Sequence, residues 1–231
     1  MARTRDAGDA PVSVHERAAW RAGRRVVGID EVGRGAWAGP VTVAAVVLDP
    51  DAVPGGARDS KRLSPMRREV VAEEVHRTAL VGIGHAANEE VDAVGLAAAL
   101  REAARRAFAA VMALPDAPTD PLVLIDGPHD LLRLTGVEVD TLVRGDAASV
   151  SIAAASVVAK VDRDRRMGES DPAHPAYGFV RNRGYASPEH VDALERLGPC
   201  ALHRRSWAPV ARLLQPTLGH GTSTSATGSG R

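Results

Sequence analysis

A single cysteine, Cys200, excludes an internal disulfide and a cysteine-built metal centre, and it suits a reducing compartment. Aromatic residues are scarce, with three Trp, two Tyr and two Phe, so the core must be assembled from Ala, Val and Leu. Net charge is absent: 29 Lys plus Arg balance 29 Asp plus Glu, and the whole-molecule field points to neither nucleic acid nor membrane. Local basic clusters do exist at residues 1–25, 160–166 and 203–205, and each on its own reads as a solvated face. No run of 18 apolar residues is present, and the Arg-rich, acid-containing start lacks the apolar core of a signal peptide. The expectation is a cytoplasmic protein with no membrane partner.

What is present is the composition of a soluble globular chain, long enough at 231 residues for one full core but short for two. Val-rich runs at Arg25–Ile29 and Val41–Leu48 read as a hairpin-like pair of strands, and Ala79–Ala87, Leu122–Ile125 and Val137–Val143 as further strands, the last two buried. Ser64 followed by Pro65 opens a helix whose apolar face is expected to hold Met66, Val70, Val71, Val75 and Leu80. A long helix follows over 95–114, ending before Pro115. Another carries Ile152, Ser156, Ala159 and Arg163 on one side, and "SPEH" opens a shorter one. Strands interleaved with helices define an α/β layered domain. Its expected limits are 25–214, between a flexible basic segment at 1–24 and a disordered tail at 215–231.

Gly33, Gly35 and Ala38 satisfy the G-x-G-x-x-G/A dinucleotide pattern, but that fingerprint needs a helix to open at the glycines. Pro40 and the β-branched residues Val41, Thr42 and Val43 predict a second strand instead, so a nucleotide cofactor is not expected.

Four acids stand out by position. Asp30 and Glu31 end the first strand, Asp126 ends another in "VLIDG", and Asp146 in "LVRGD" lies just past a third. Any one of them could be a turn residue or a helix cap. Together, beyond strand ends where functional groups gather in α/β sheets, they would repel one another unless cations neutralised them. Oxygen ligands without a nearby Cys or His pair select Mg²⁺ or Mn²⁺, and two such ions roughly 3.5 to 4 Å apart suit phosphodiester hydrolysis.

Seven blocks in order carry a resemblance: "GIDEVGRG" at 28–35, "DSKRLS" at 59–64, "LIDG" at 124–127, "RGD" at 144–146, "AAASVVAKVDRDR" at 153–165, "RGYAS" at 183–187 and "HRRSW" at 203–207. Across residues 25–213 the chain resembles the ribonuclease HII family, the type 2 ribonucleases H. The resemblance implies a ribonuclease H-like mixed five-stranded sheet flanked by helices, with a helical C-terminal part. It implies that Asp30, Glu31, Asp126 and Asp146 hold two Mg²⁺ or Mn²⁺ ions. The implied substrates are RNA/DNA hybrids and duplex DNA containing ribonucleotides, cut 5′ of the ribonucleotide to leave 3′-hydroxyl and 5′-phosphate ends by a monomeric enzyme.

The same resemblance makes Gly33, Arg34 and Gly35 the turn whose backbone approaches the ribose 2′-hydroxyl, and Tyr185 the residue that bonds that hydroxyl and stacks on the next sugar. Lys61 and Lys160 match basic positions near substrate phosphates or the carboxylates. His203, Arg204 and Arg205 are read either as phosphate contacts or as a solvated cluster. Low aromatic content predicts that sugar and phosphate contacts outweigh base stacking. One departure is "DAVGL", with Gly95 where the family often has Asn; both cap helices, so the helix start should survive. Two other readings compete: an inactive module that binds hybrid duplex without cutting, and a different two-metal nuclease such as a junction resolvase.

Overall fold

Valine-rich strands placed at the centre of a sheet can be buried on both faces, and that is where the first one lies. The computed structural model describes residues 14–56 and 63–214, so Lys61, residues 1–13 and the tail from 215 onward fall outside it. Strand β1 (Val26–Val32) pairs antiparallel with β2 (Val41–Val47), and β2 pairs antiparallel with β3 (Leu80–Ala86). On its other edge β1 runs parallel to β4 (Leu122–Asp126), which is parallel to β5 (Glu138–Leu142). The mixed sheet has the order β3-β2-β1-β4-β5. Every residue of β2 is buried, whereas β5 is an edge strand with its residues half-buried or exposed, which corrects the expectation of a buried strand there.

The helices are α1 (Val14–Arg21), α2 (Pro65–Thr78), α3 (Asn88–Val94), α4 (Leu96–Met112) and α5 (Gly145–Ala148). After them come α6 (Val150–Ser170), α7 (Phe179–Asn182), α8 (Pro188–Leu197) and α9 (Ala208–Leu214). One face of the sheet, through Val27, Ile29, Val43 and Ile125, packs on Ala103, Ala107 and Val111 of α4. The opposite face, through Ala44 and Val46, packs on α2 and α6. Small residues dominate both layers, as the scarcity of aromatics requires. Among the described residues, no helix is long and apolar enough to cross a membrane.

Helix α2 starts as expected, with the Ser64 hydroxyl accepting from the Arg67 amide at 3.3 Å. Its buried face is Val71, Ala72 and Val75, while Met66 and Val70 are 77% and 46% exposed and Leu80 has passed into β3. The apolar positions are too widely spaced for one face, and the sheet selects Val71, with Ala72 beside it, and Val75 one turn on. Gly95, at φ 79°, closes α3 and opens α4, so the helix start does survive the glycine.

Within the segment expected to be flexible, Val14–Arg21 is a helix docked on the sheet. Ala19 and Trp20 pack with Val26, Leu122 and Ile152, and His15 bonds Asp140 at 2.7 Å. Glu16 is fully buried and accepts from the Ser149 hydroxyl at 2.7 Å and the Ser151 amide at 2.9 Å, so α1 satisfies the N-terminus of α6. Glu16→Ala leaves both donors unpaired and should lower stability by about 2 kcal/mol. A urea midpoint that falls at unchanged slope is the expected result, and an unmoved midpoint would make α1 peripheral.

Candidate active site

Adjacent residues of a strand point to opposite faces, so Asp30 and Glu31 leave β1 on different sides. Asp30 lies on the α6 side, where the Ser156 hydroxyl hydrogen-bonds it, and it also accepts from the Glu31 amide at 2.7 Å. Glu31 lines a cavity of about 340 Å³ with Leu96, Leu100 and Arg101 of α4 and with Asp126. Because Ile29 pairs with Ile125 across parallel strands, the next residues along, Asp30 and Asp126, end up side by side. Asp126 accepts from the Gly145 amide at 2.6 Å, and the following residue, Asp146, is buried in the first turn of α5. Arg144 adopts a left-handed conformation at φ 59° to make that entry. The structure thus sets Asp126 within reach of the charges of Asp30 and Glu31, and buries Asp146 in the turn that Gly145 ties to Asp126.

Burial holds the Asp30 carboxyl well above the usual carboxylate range, and the charges of Asp126 and Glu31 push the same way against the Ser156 hydrogen bond. Glu31 is also raised by burial, with Asp126 adding to it, while Arg34, 3.0 Å from the Glu31 carboxylate, opposes. The acids feel one another's charge, yet among the described residues no three of them stand in a finished metal-ligand cluster. Protein donors hold Asp30 and Asp126, and Glu31 is turned to Arg34.

The turn after β1 positions the other site residues. Gly33 has φ 91°, a conformation that favours glycine, and a Cβ there would lie 2.3 Å from Arg163 Nε. No helix opens at Gly33 or Gly35, in keeping with the rejection of a dinucleotide site. Lys160 sits one turn beyond Ser156 on α6, pairs with Asp164 at 2.6 Å and lies 5.8 Å from the centre of the Tyr185 ring. Burial lowers its ammonium pKa, against the pull of Asp164. A larger cavity, about 430 Å³ between α2 and α6, holds none of the four acids, and its lining mixes both charge signs.

Of the basic clusters, Arg17 and Arg21 in the first are exposed, whereas the other two are partly buried. In the 160–166 run, Arg163 is fully buried and Arg165 and Arg166 pair with buried Asp162 at 3.2 and 2.9 Å. His203 and Arg204 are also fully buried, so neither reading made of them from sequence holds. Arg204 donates to the carbonyls of Gly39 and Arg34, each at 3.0 Å, beneath the glycine turn. His203 joins a directed chain. The Cys200 amide donates to His203 Nδ1 at 3.0 Å, which leaves the proton on Nε2 facing His190 Nε2 at 3.0 Å; His190 Nδ1 then donates to the Tyr185 carbonyl at 2.8 Å.

That chain requires both imidazoles neutral. Burial, then the neighbouring His190, lowers the His203 pKa to about 4, and burial lowers His190 as well. A folded pKa below the unfolded value near 6.5 means the unfolded chain takes up protons first as pH falls. The stability contribution is complete above pH ~6.5 and is lost towards pH ~4, by about 3 kcal/mol for His203. Urea midpoints measured from pH 7.5 to 4.5 should fall steeply in the parent and less steeply in His203→Gln; equal slopes would contradict this.

A sequence model of the family described as Ribonuclease HII matches residues 27–210. The Ribonuclease HII of Cereibacter sphaeroides (strain ATCC 17029 / ATH 2.4.9) is 47% identical over 205 residues, covering 88% of this chain and 94% of its own. The structure of the PCNA:RNase HII complex from Archaeoglobus fulgidus contains a chain that matches with a TM-score of 0.68 at 28% identity, covering 84% of this chain and 98% of that one. Bst-RNase HIII in complex with Mn²⁺ matches with a TM-score of 0.68 at 21% identity over 83% of this chain and 69% of that one, a likeness of fold.

The mixed five-stranded sheet with flanking helices is a ribonuclease H-like fold. Within that class, the chain belongs to the ribonuclease HII family. It is an endoribonuclease of the ribonuclease H type, acting on RNA/DNA hybrids.

Proposed function

We propose that Asp30, Glu31, Asp126 and Asp146 form the hydrolytic centre, that it takes two Mg²⁺ or Mn²⁺ ions, and that it cuts 5′ of ribonucleotides embedded in duplex DNA as well as within hybrids. The observation that carries this reading is the convergence of carboxyls at the ends of β1 and β4, where Asp30 and Glu31 are raised first by burial and the charge of Asp126 adds to both. Carboxylate oxygens crowded in this way form a donor set that a hard divalent cation relieves. The Mn²⁺ named for the Bst-RNase HIII neighbour supports that class of ion. When bound, such ions supply an activated water and charge stabilisation for the leaving oxygen.

The chain's own groups set the geometry. Ser156 and the Glu31 amide fix Asp30, and the Gly145 amide fixes Asp126, so neither carboxylate must reorganise as charge develops. Gly33, Arg34 and Gly35 offer backbone to the ribose 2′-hydroxyl, the group that separates RNA from DNA. Tyr185 supplies a hydroxyl to the same group, and Lys160, beside its ring, faces substrate phosphate. Lys61 is assigned a similar phosphate contact on its motif alone. The enzyme works as a cytoplasmic monomer.

The test is cleavage of a 5′-labelled strand carrying one ribonucleotide within duplex DNA. The product should end immediately 5′ of the ribonucleotide and be extendable by a DNA polymerase, which requires a 3′-hydroxyl. A cut on the 3′ side, or an end that a polymerase cannot extend, would contradict the reading.

A further inference from the structure

Two arginines lie fully buried beneath the recognition turn, and among the described residues neither forms an ion pair. Burying an unpaired guanidinium is costly, and the cost shows in the lowered pKa of both; Arg204 is pulled down to about 10, first by burial and then by the charge of Arg163. An apolar side chain would fill the same space without that desolvation. What the guanidinium adds is direction.

Arg163 Nε donates to the Pro40 carbonyl at 2.9 Å, Nη2 to the Ala38 carbonyl at 3.1 Å, and Nη1 to the Arg183 carbonyl at 2.9 Å. The first two carbonyls belong to the segment that follows the Gly33–Gly35 turn, and the third lies two residues before Tyr185. The same guanidinium lies 5.1 Å from the centre of the Tyr185 ring and packs under Gly33 so closely that a Cβ there would meet Nε. A second link runs the other way: the Gly184 carbonyl accepts from the amides of Trp37 at 2.8 Å and Ala38 at 3.2 Å. Gly184 has φ 80°, and a Cβ on it would lie 2.4 Å from the Ala38 carbonyl oxygen.

We infer that Arg163 is a positioning residue that locks the Gly33–Gly35 turn to Tyr185, so that backbone and hydroxyl meet one ribose as a single rigid reader. The inference rests on the assignment of the turn and Tyr185 to the 2′-hydroxyl. It adds that neither element alone selects an isolated ribonucleotide; their fixed separation does. Lysine at 163 keeps a cation but gathers its three N–H donors on one nitrogen in place of a planar fork, and cannot reach three carbonyls spread around the guanidinium. A continuous hybrid offers many 2′-hydroxyls and tolerates a loosened reader, whereas a single ribonucleotide does not.

The experiment compares kcat/KM on a duplex with one ribonucleotide and on a continuous RNA/DNA hybrid for the parent, Arg163→Lys, Tyr185→Phe and the double variant. Arg163→Lys should lose roughly tenfold or more on the single ribonucleotide beyond its loss on the hybrid. The double variant should fall no further than the poorer single variant, since both changes disable the same reader. A merely structural role predicts equal losses on both substrates and multiplying effects, which would overturn the inference. Should Arg163→Lys fail to fold, Gly184→Ala pushes the same two segments apart from the other side and must show the same selective loss, an unselective loss again overturning the inference. If Tyr185→Phe loses selectively while the Arg163 and Gly184 variants do not, the inference falls alone. If Tyr185→Phe is unselective, the reading of Tyr185 falls and the inference falls with it.

Discussion

Asp126→Asn should abolish turnover, by roughly a thousandfold or more, while the fold and duplex affinity survive. The side-chain oxygen that accepts from the Gly145 amide at 2.6 Å has a counterpart in asparagine, so the link from β4 to α5 remains. What disappears is a charge that raises both Asp30 and Glu31. Relief of that repulsion should leave the metal-free protein at least as stable as the parent and hold a polyanionic duplex at least as tightly. Thermal melting, duplex binding and cleavage in Mg²⁺ measured together check this. Activity retained within a few-fold would reduce Asp126 to a turn residue.

Gly28→Ala should be strongly damaging for a single-methyl change, lowering stability by about 3 kcal/mol and activity with it. Gly28 lies at the middle of β1, where α6 crosses the sheet. An added Cβ would stand 2.2 Å from the Ser151 carbonyl carbon and 2.6 Å from the Ile152 amide nitrogen. Both are backbone atoms of the first turn of α6, so no rotamer change relieves the contact and the helix must move. Ser156, which holds Asp30, would move with it. Urea denaturation and cleavage rate should therefore fall together, and a variant with parental stability would show that α6 can ride higher on the sheet without cost.

The acids were legible in the sequence because each stands where a valine or leucine run meets a turn, and a charge at such a boundary needs a reason. That Asp30 and Glu31 face opposite sides of the sheet follows from strand geometry, but which side carries α6 and which the cavity is decided by pairing that no local pattern shows. Arg163 left a trace. It completes a helix side with Ile152, Ser156 and Ala159, and an arginine ending that stripe is a signal of burial. The surrounding charges at Lys160, Asp164, Arg165 and Arg166 concealed it, because a mixed-charge run reads as solvated. Arg204 and His203 left none: their burial depends on carbonyls of the turn more than 160 residues earlier and on His190 of α8. Glu16 was missed for the same reason, since its partners Ser149 and Ser151 lie far along the chain. Phase errors in α2 arose because Met66 and Val70 look like core residues until the sheet selects a face.

The central claim is that an acidic centre on β1 and β4 hydrolyses a phosphodiester chosen by an adjacent ribose. The most direct measurement is cleavage in Mg²⁺ and in Mn²⁺ of three duplexes of one sequence: all DNA, DNA with one ribonucleotide, and a full RNA/DNA hybrid. Cutting of the last two at or within the ribonucleotides, abolished by a chelator, with the all-DNA duplex intact, is the predicted result. Cutting of the all-DNA duplex alone, or tight binding of all three with no cleavage in either metal, would contradict it.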